Sequence, residues 1–206
     1  MVIKQRARVD GRTARRSDTK SSILAAATHL FVAKGMSATS VDDIAEAAQV
    51  AKGSIYYNFA SKTAIIEALL AEYLRVTRET LEAASEGLTG KARQRAVLGA
   101  LLGLVQDHPE AAKLMANERF RTDRPWRASA EAWRDATADL LVTDVAEARG
   151  SADELSSVVA AAMVGATLTA ALEWLGFAPH VPREDVQRAV FETLGLWVES
   201  PPQLVD

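Results

Sequence analysis

The chain has 206 residues, no cysteine, 49% hydrophobic and 25% charged residues, and a net charge of −3. That length can bury one or two cores, and the missing cysteine excludes disulfides, thiolate metal sites and a cysteine nucleophile. Thirty-nine alanines against eleven glycines predict an all-α chain.

The charge is unevenly spread. Up to Lys62 there are ten Lys/Arg and five Asp/Glu, and from Thr63 onward fourteen and twenty-two. A basic beginning on an acidic body suits a protein that meets a polyanion at one end. Residues 1–18 carry Lys4, Arg6, Arg8, Arg12, Arg15 and Arg16 against Asp10 and Asp18, and read as a flexible basic arm. They lack the apolar core of a secretory signal, so a cytoplasmic location is expected.

The elements follow in chain order. Ile23, Leu24, Ala27, Leu30 and Phe31 form one helical stripe, with Thr19 as its expected N-cap and Gly35 as its left-handed stop. Ser40 and Asp43 have capping-box spacing and open a helix of about two turns. Gln49-Val50 interrupts it, and a further short helix runs from Lys52 to Asn58. Ser61 caps a longer helix carrying Ile65, Ile66, Leu69, Leu70, Tyr73 and Leu74. After a break at residues 87–90, helices are expected over Lys91–Gln106, Pro109–Phe120 and Trp126–Arg149. Ser151 then reads as the cap of a helix ending near Gly176, and Arg183–Glu199 as the last of about nine. Leu155–Leu172 holds no charge and approaches membrane-spanning length. Its Ala, Ser, Thr and Gly content fits better a helix buried all round in a water-soluble fold.

Two short helices joined by a tight turn and followed by a third make a helix-turn-helix, whose second helix enters the DNA major groove. In Lys52–Phe59, Ile55 and Phe59 at i, i+4 anchor the inner face. Lys52, Ser54, Tyr56, Tyr57 and Asn58 remain as donors, with one tyrosine expected to share its ring with the interior. Lysine and asparagine can read base edges, whereas serine and tyrosine hydroxyls suit phosphates. Gly53 lets the backbone come close to the sugar-phosphate. A solvated surface is the ordinary place for a lysine; the motif is what singles out Lys52.

Thr39-Ser40-Val41-Asp42-Asp43-Ile44-Ala45, Lys52 through Phe59, and Ser61-Lys62 together resemble the TetR family of one-component transcriptional regulators. Ile23 through Gly35 matches that family's first helix, so the resemblance covers about Thr19 to Leu70. It implies phosphate contacts from Thr39 or Ser40, base or backbone contacts from Lys52, Gly53, Ser54, Tyr56, Tyr57 and Asn58, and a phosphate clamp at Lys62. Three positions depart from the pattern: Gln49, where the family usually has Gly; Ala51, where it has Ser or Thr; and Asn58, often His. Ala51 gives up both a cap and a phosphate contact.

The implied architecture is an arm at 1–18, a DNA-binding domain at 19–66, and an effector-binding and dimerisation domain at 67–206. The expected partners are double-stranded operator DNA, a small-molecule effector and a second copy of the chain, with no membrane. The effector pocket is expected around Met115, Arg119, Phe120, Trp126, Trp133 and Trp174. The dimer interface is expected at Ala161, Gly165, Leu168, Val190, Leu194 and Trp197. A stripe on the last helix supports it, although an ordinary internal core fits the same stripe almost as well. Neither cofactor nor metal is expected. The three histidines (His29, His108, His180) lie far apart, and no H-E-x-x-H, G-x-S-x-G, Walker or dinucleotide motif occurs, so the chain is not expected to be an enzyme.

Overall fold

The computed structural model describes residues 11–118 and 127–196. Among these the chain is all helical: α1 (Gly11–Lys34), α2 (Val41–Ala47), α3 (Lys52–Asn58), α4 (Lys62–Ser85), α5 (Gly90–Asp107), α6 (Pro109–Glu118), α7 (Arg127–Arg149), α8 (Glu154–Phe177) and α9 (Arg183–Thr193). They form two compact units, one ending at Leu69 and the other beginning at Leu70, within α4.

In the first unit α1 packs on α2 and α3, and α2 on α3. Ile23, Ala27 and Phe31 bury the predicted stripe of α1, joined by Ile44, Ile55, Phe59, Ile65 and Ile66 in the core. The predicted start of α1 at Thr19 is corrected. The helix begins at Gly11, so Thr19 sits inside it and not at its N-cap.

The second unit is built around α8, which packs on α5, α6, α7 and α9. Its core joins Leu81, Val97, Leu98, Leu101, Leu141, Val164 and Phe191. By length and composition α8 could cross a membrane. The expectation that it is buried all round fails in part, because Leu155, Val158 and Phe177 stay exposed. Its cap also moves. Asp153, not Ser151, is the N-cap, accepting the Ser156 N–H, because Asp153 lies directly before the first helical residue and Ser151 two residues further back. The last helix is shorter than expected. Gly195 takes φ 66°, and Leu196 donates back to the Phe191 carbonyl at 2.7 Å, a Schellman stop that closes α9.

One ion pair ties α7 to the start of α5. The Asp144 carboxylate is buried and accepts from Arg93 through Nε and Nη2, both at 2.7 Å, and from the Gly90 N–H at 2.8 Å. Thr89 precedes α5 without a side-chain cap, so Asp144 does the capping from another helix. Asp144→Ala would leave the partly buried Arg93 and the α5 terminus unpaired. The expected loss is about 3 kcal/mol in urea denaturation, against under about 0.5 kcal/mol for Arg134→Ala, whose pair with Asp135 is exposed.

Candidate nucleic-acid interface

The first unit is assembled by a series of caps. α1 stops at Gly35, at φ 85°. The turn that follows is fastened from two sides. Thr39 is buried, and its hydroxyl donates to the Gly35 carbonyl at 2.9 Å and to the Leu30 carbonyl at 3.4 Å. Lys62, at the start of α4, donates from Nζ to the carbonyls of Met36 (3.0 Å), Ser37 (3.3 Å) and Thr39 (2.9 Å). An ammonium has three donors, and all three are used here. The implied phosphate clamp is, in this structure, a clamp on the protein's own backbone.

α2 then opens with the predicted capping box. Ser40 Oγ accepts the Asp43 N–H at 3.1 Å, and the Asp43 carboxylate accepts the Ser40 N–H at 2.8 Å. The Ser40 hydroxyl, followed by its N–H and by Lys34, pushes the Asp43 pKa down to about 2. With Thr39 turned inward, Ser40 keeps the more exposed hydroxyl of the two, already shared with Asp43 Oδ2 at 2.7 Å.

α2 ends in a Schellman turn, with Gln49 N–H to the Glu46 carbonyl and Val50 N–H to the Ala45 carbonyl. This places Gln49 at φ 55°, the one positive φ among the described residues that are not glycine. The departure from glycine noted in the sequence therefore falls where the backbone is left-handed. Ala51 precedes α3 as N-cap with no side-chain bond, as its methyl dictates.

α3 is held from beneath by Ile55 and Phe59, 1% and 5% exposed. Lys20 Nζ lies 5.7 Å from the centre of the Phe59 ring. Tyr56 and Tyr57 are 52% and 72% exposed, so the expected sharing of one ring with the interior is corrected. Residue 55 already fills that position, and neither neighbour on a helix can point the same way. Gly53 is exposed, with open space where a Cβ would stand. Asn58 Nδ2 is turned back onto the Ser54 carbonyl at 2.8 Å. Lys52 is exposed and paired with Asp42 of α2, a residue the sequence reading passed over. The outer face of α3 thus offers an amine, two phenol rings and a bare backbone, a surface that can meet bases and phosphates.

The second unit holds an apolar cavity of about 190 Å³ between α4, α5, α6 and α8. Val76, Leu101, Leu104, Val105 and Leu168 line it, with Glu72, Tyr73, Thr77 and His108 as polar groups. Of the expected pocket residues, Trp174 lies elsewhere. It is buried at the α8–α9 groove, and its Nε1 donates to the Val181 carbonyl at 2.9 Å. Met115 and Trp133 belong to α6 and α7 with side chains outside the described set. Arg119, Phe120 and Trp126 lie outside the described residues.

Of the expected dimer residues, Leu168 is buried inside its own unit and faces the cavity, and Val190 belongs to the core. Leu194 lines the α8–α9 groove, and Ala161 and Gly165 line a smaller one beside Val158. Trp197 lies outside the described residues. The sequence could not single out the cavity walls, since Tyr73, Val76 and Leu101 sit in stripes indistinguishable from filled core.

Two expectations follow. Gln49→Gly and Ala51→Ser should each raise stability by about 0.5–1 kcal/mol in chemical denaturation, the first by relieving a left-handed non-glycine residue and the second by adding a cap. Because Asp43 titrates lower folded than unfolded, its stabilisation is complete above the ordinary carboxylate value and fades as pH falls toward 2. In Ser40→Ala the Asp43 carboxyl midpoint, followed by NMR, should move up toward that ordinary value, and the stability gap to wild type should narrow between about pH 4 and 2.

Residues 23–69 match the model of the bacterial regulatory proteins of the tetR family. The chain is 31% identical over 119 residues to the transcriptional repressor KstR2 of Rhodococcus jostii, covering 52% of this chain and 57% of the relative. The match therefore spans less than two thirds of that relative's length. Over 161 residues it is 22% identical to the transcriptional activator FasR of Mycolicibacterium smegmatis, covering 78% and 74% of the two chains. Its fold is similar to that of the regulator FadR of Bacillus subtilis, solved in complex with stearoyl-CoA, with TM-score 0.67 at 21% identity over 84% and 96% of the chains. Residues 23–69 therefore carry a helix-turn-helix of the tetR-family type, set in a chain whose all-helical fold is similar to that of FadR.

Proposed function

We propose that the chain is a sequence-specific DNA-binding transcriptional regulator: a homodimeric repressor released from a palindromic operator by a small apolar or amphipathic effector. The observation that carries this reading is α3, anchored by Ile55 and Phe59 and offering Lys52, Gly53, Tyr56 and Tyr57 outward. Such a helix suits the major groove, and two of them suit half-sites about 34–36 Å apart. Lys62 and Thr39 act in this reading as positioning residues for the turn, and Ser40 is the remaining phosphate donor at the start of α2.

The cavity supports the effector. A void of about 150 Å³ lined by apolar side chains takes up benzene, so 190 Å³ admits a ring-sized group or a short chain, with Tyr73, Thr77 and His108 as polar handles. The stearoyl-CoA of the FadR structure agrees with an apolar ligand in this fold. The exposed Leu155, Val158 and Phe177 of α8 and the groove beside α9 support a dimer through those helices. Repression follows the KstR2 relative; an effector that favours the dimer state with mismatched heads then releases DNA.

The test starts with a duplex selected from a randomised pool. Lys52→Ala and Tyr57→Ala should each lose about 1–3 kcal/mol of operator binding, and sedimentation should show a dimer. Apolar ring and chain compounds that raise the melting temperature should weaken operator binding, and Leu104→Phe, which narrows the cavity, should abolish that response while operator affinity holds. A chain that selects no sequence overturns the reading. A ligand that binds without changing operator affinity overturns the repressor mechanism, and one that strengthens binding reverses its sign.

A further inference from the structure

The positive surplus of the basic end lies in residues 1–17, which include Arg12, Arg15 and Arg16 at the start of α1. Between residues 18 and 62 there are four lysines (Lys20, Lys34, Lys52, Lys62) and four acids (Asp18, Asp42, Asp43, Glu46), no arginine, and hence no net charge. The structure carries this balance down to individual groups. Lys62 is spent on three carbonyls, and Lys34 faces Asp43 at 3.3 Å. Lys52 on α3 is held by both oxygens of Asp42 on α2, at 2.6 Å and 2.9 Å. An acid in the first turn of a helix is favoured by the helix dipole, and Asp43 meets that need within the capping box. Asp42 instead reaches across the turn to the recognition helix, and both partners stay in solvent, with side chains 54% and 67% exposed.

A cation paired in this way cannot meet a phosphate without either giving up the carboxylate or bringing it toward the polyanion. Both oppose binding. A well-seated operator, with base contacts holding α3 in place, can make the exchange, whereas loose contact with arbitrary DNA gains little from it. Resting on the DNA-binding reading above, we propose that Asp42 is a specificity-determining residue that competes with phosphate for Lys52 and suppresses non-specific binding. The occupant it disfavours is DNA backbone in general, and the contact it leaves available is the one α3 makes when seated.

The experiment compares wild type, Asp42→Asn, Asp42→Glu, Lys52→Ala and Asp42→Asn/Lys52→Ala by fluorescence anisotropy, with a random-sequence duplex and with the selected operator, over a range of KCl. Exposed pairs are weak, so Asp42→Asn is expected to bind the random duplex about two- to five-fold more tightly per head. Its plot of log affinity against log salt should steepen by about one per head. Operator affinity should rise less, lowering the specificity ratio. Asp42→Glu should match wild type, and in the Lys52→Ala background the asparagine should gain less than about two-fold.

A gain that persists undiminished without Lys52 overturns the proposal, because Asp42 would then be a general repulsive charge. Unchanged random-duplex binding overturns it as well. A DNA-free arm separates this from failure of the underlying reading: acylation of the Lys52 amine by an N-hydroxysuccinimide ester, mapped by peptide mass, should be faster in Asp42→Asn. Faster acylation with unchanged duplex binding overturns the competition alone. Absence of any duplex binding by wild type and variants overturns the DNA-binding reading and the proposal with it.

Discussion

The grip of Lys62 on the turn between α1 and α2 sets the register of the whole head. Three carbonyls in four residues point to one place, and a single ammonium satisfies them all. Such groups left without partners would cost about 1–3 kcal/mol each where water is kept away. Thr39 fixes the same turn from inside through Gly35 and Leu30, so the point at which α2 begins is determined twice. Everything after it depends on that start. The capping box places α2, its Schellman end places Gln49 and Val50, and Val50 delivers Ala51 to the first turn of α3. A head only a few short helices thick has little core with which to enforce an angle between α2 and α3. Caps and backbone bonds supply what packing does not.

This economy has an electrostatic consequence. The lysines that position the head are consumed in doing so, and the stretch from residue 18 to 62 carries no net charge. Its outer helix therefore presents aromatic surface and backbone more than charge, with Tyr56 and Tyr57 the most exposed large groups. Long-range attraction to a polyanion has to come from residues 1–17, where six Lys/Arg face a single Asp. Attraction and reading are thus assigned to different stretches of sequence. Under the function proposed above, salt would act mainly on the first and base identity on the second.

What the sequence disclosed, and what it did not, follows from the range of each interaction. The all-α class, the stripe of α1, the Ser40–Asp43 box and the Ile55/Phe59 anchor are local patterns within a few residues, and they could be read directly. Gln49 stands out in the sequence only because glycine is the expected residue there; the reason is the Schellman geometry of α2, which makes the position left-handed. The inward turn of Thr39 joins residues four and nine positions apart, the capture of Lys62 and the pairing of Lys52 with Asp42 join residues ten to twenty-six apart, and no periodicity reveals them. The cavity was least legible. Leu101 and Val105 form the same stripe whether the space before them is filled or empty, and Trp174, one of three tryptophans expected at the pocket, is instead buried against the α8–α9 loop through its indole N–H.

α8 is a strongly apolar helix. Apolar residues lie on every side of it, so no orientation can put all of them in one core. Packing on α5, α6, α7 and α9 covers Ala160, Val164, Ala171 and Trp174 and leaves Leu155, Val158 and Phe177 outside. The uncovered face combines large groups at its ends with Ala162, Ala166 and Thr169 between them, all exposed. That is a shape into which a second helix can settle closely. Keeping such a face in water forgoes about 25 cal/mol for every Å² left uncovered. A helix amphipathic in the usual way would have avoided that penalty with a few charges. Its sequence instead holds a single charge, Glu173, between Leu155 and Phe177, a composition that suits the dimer proposed above, in which the helix would pack inward on its own unit and outward on another copy.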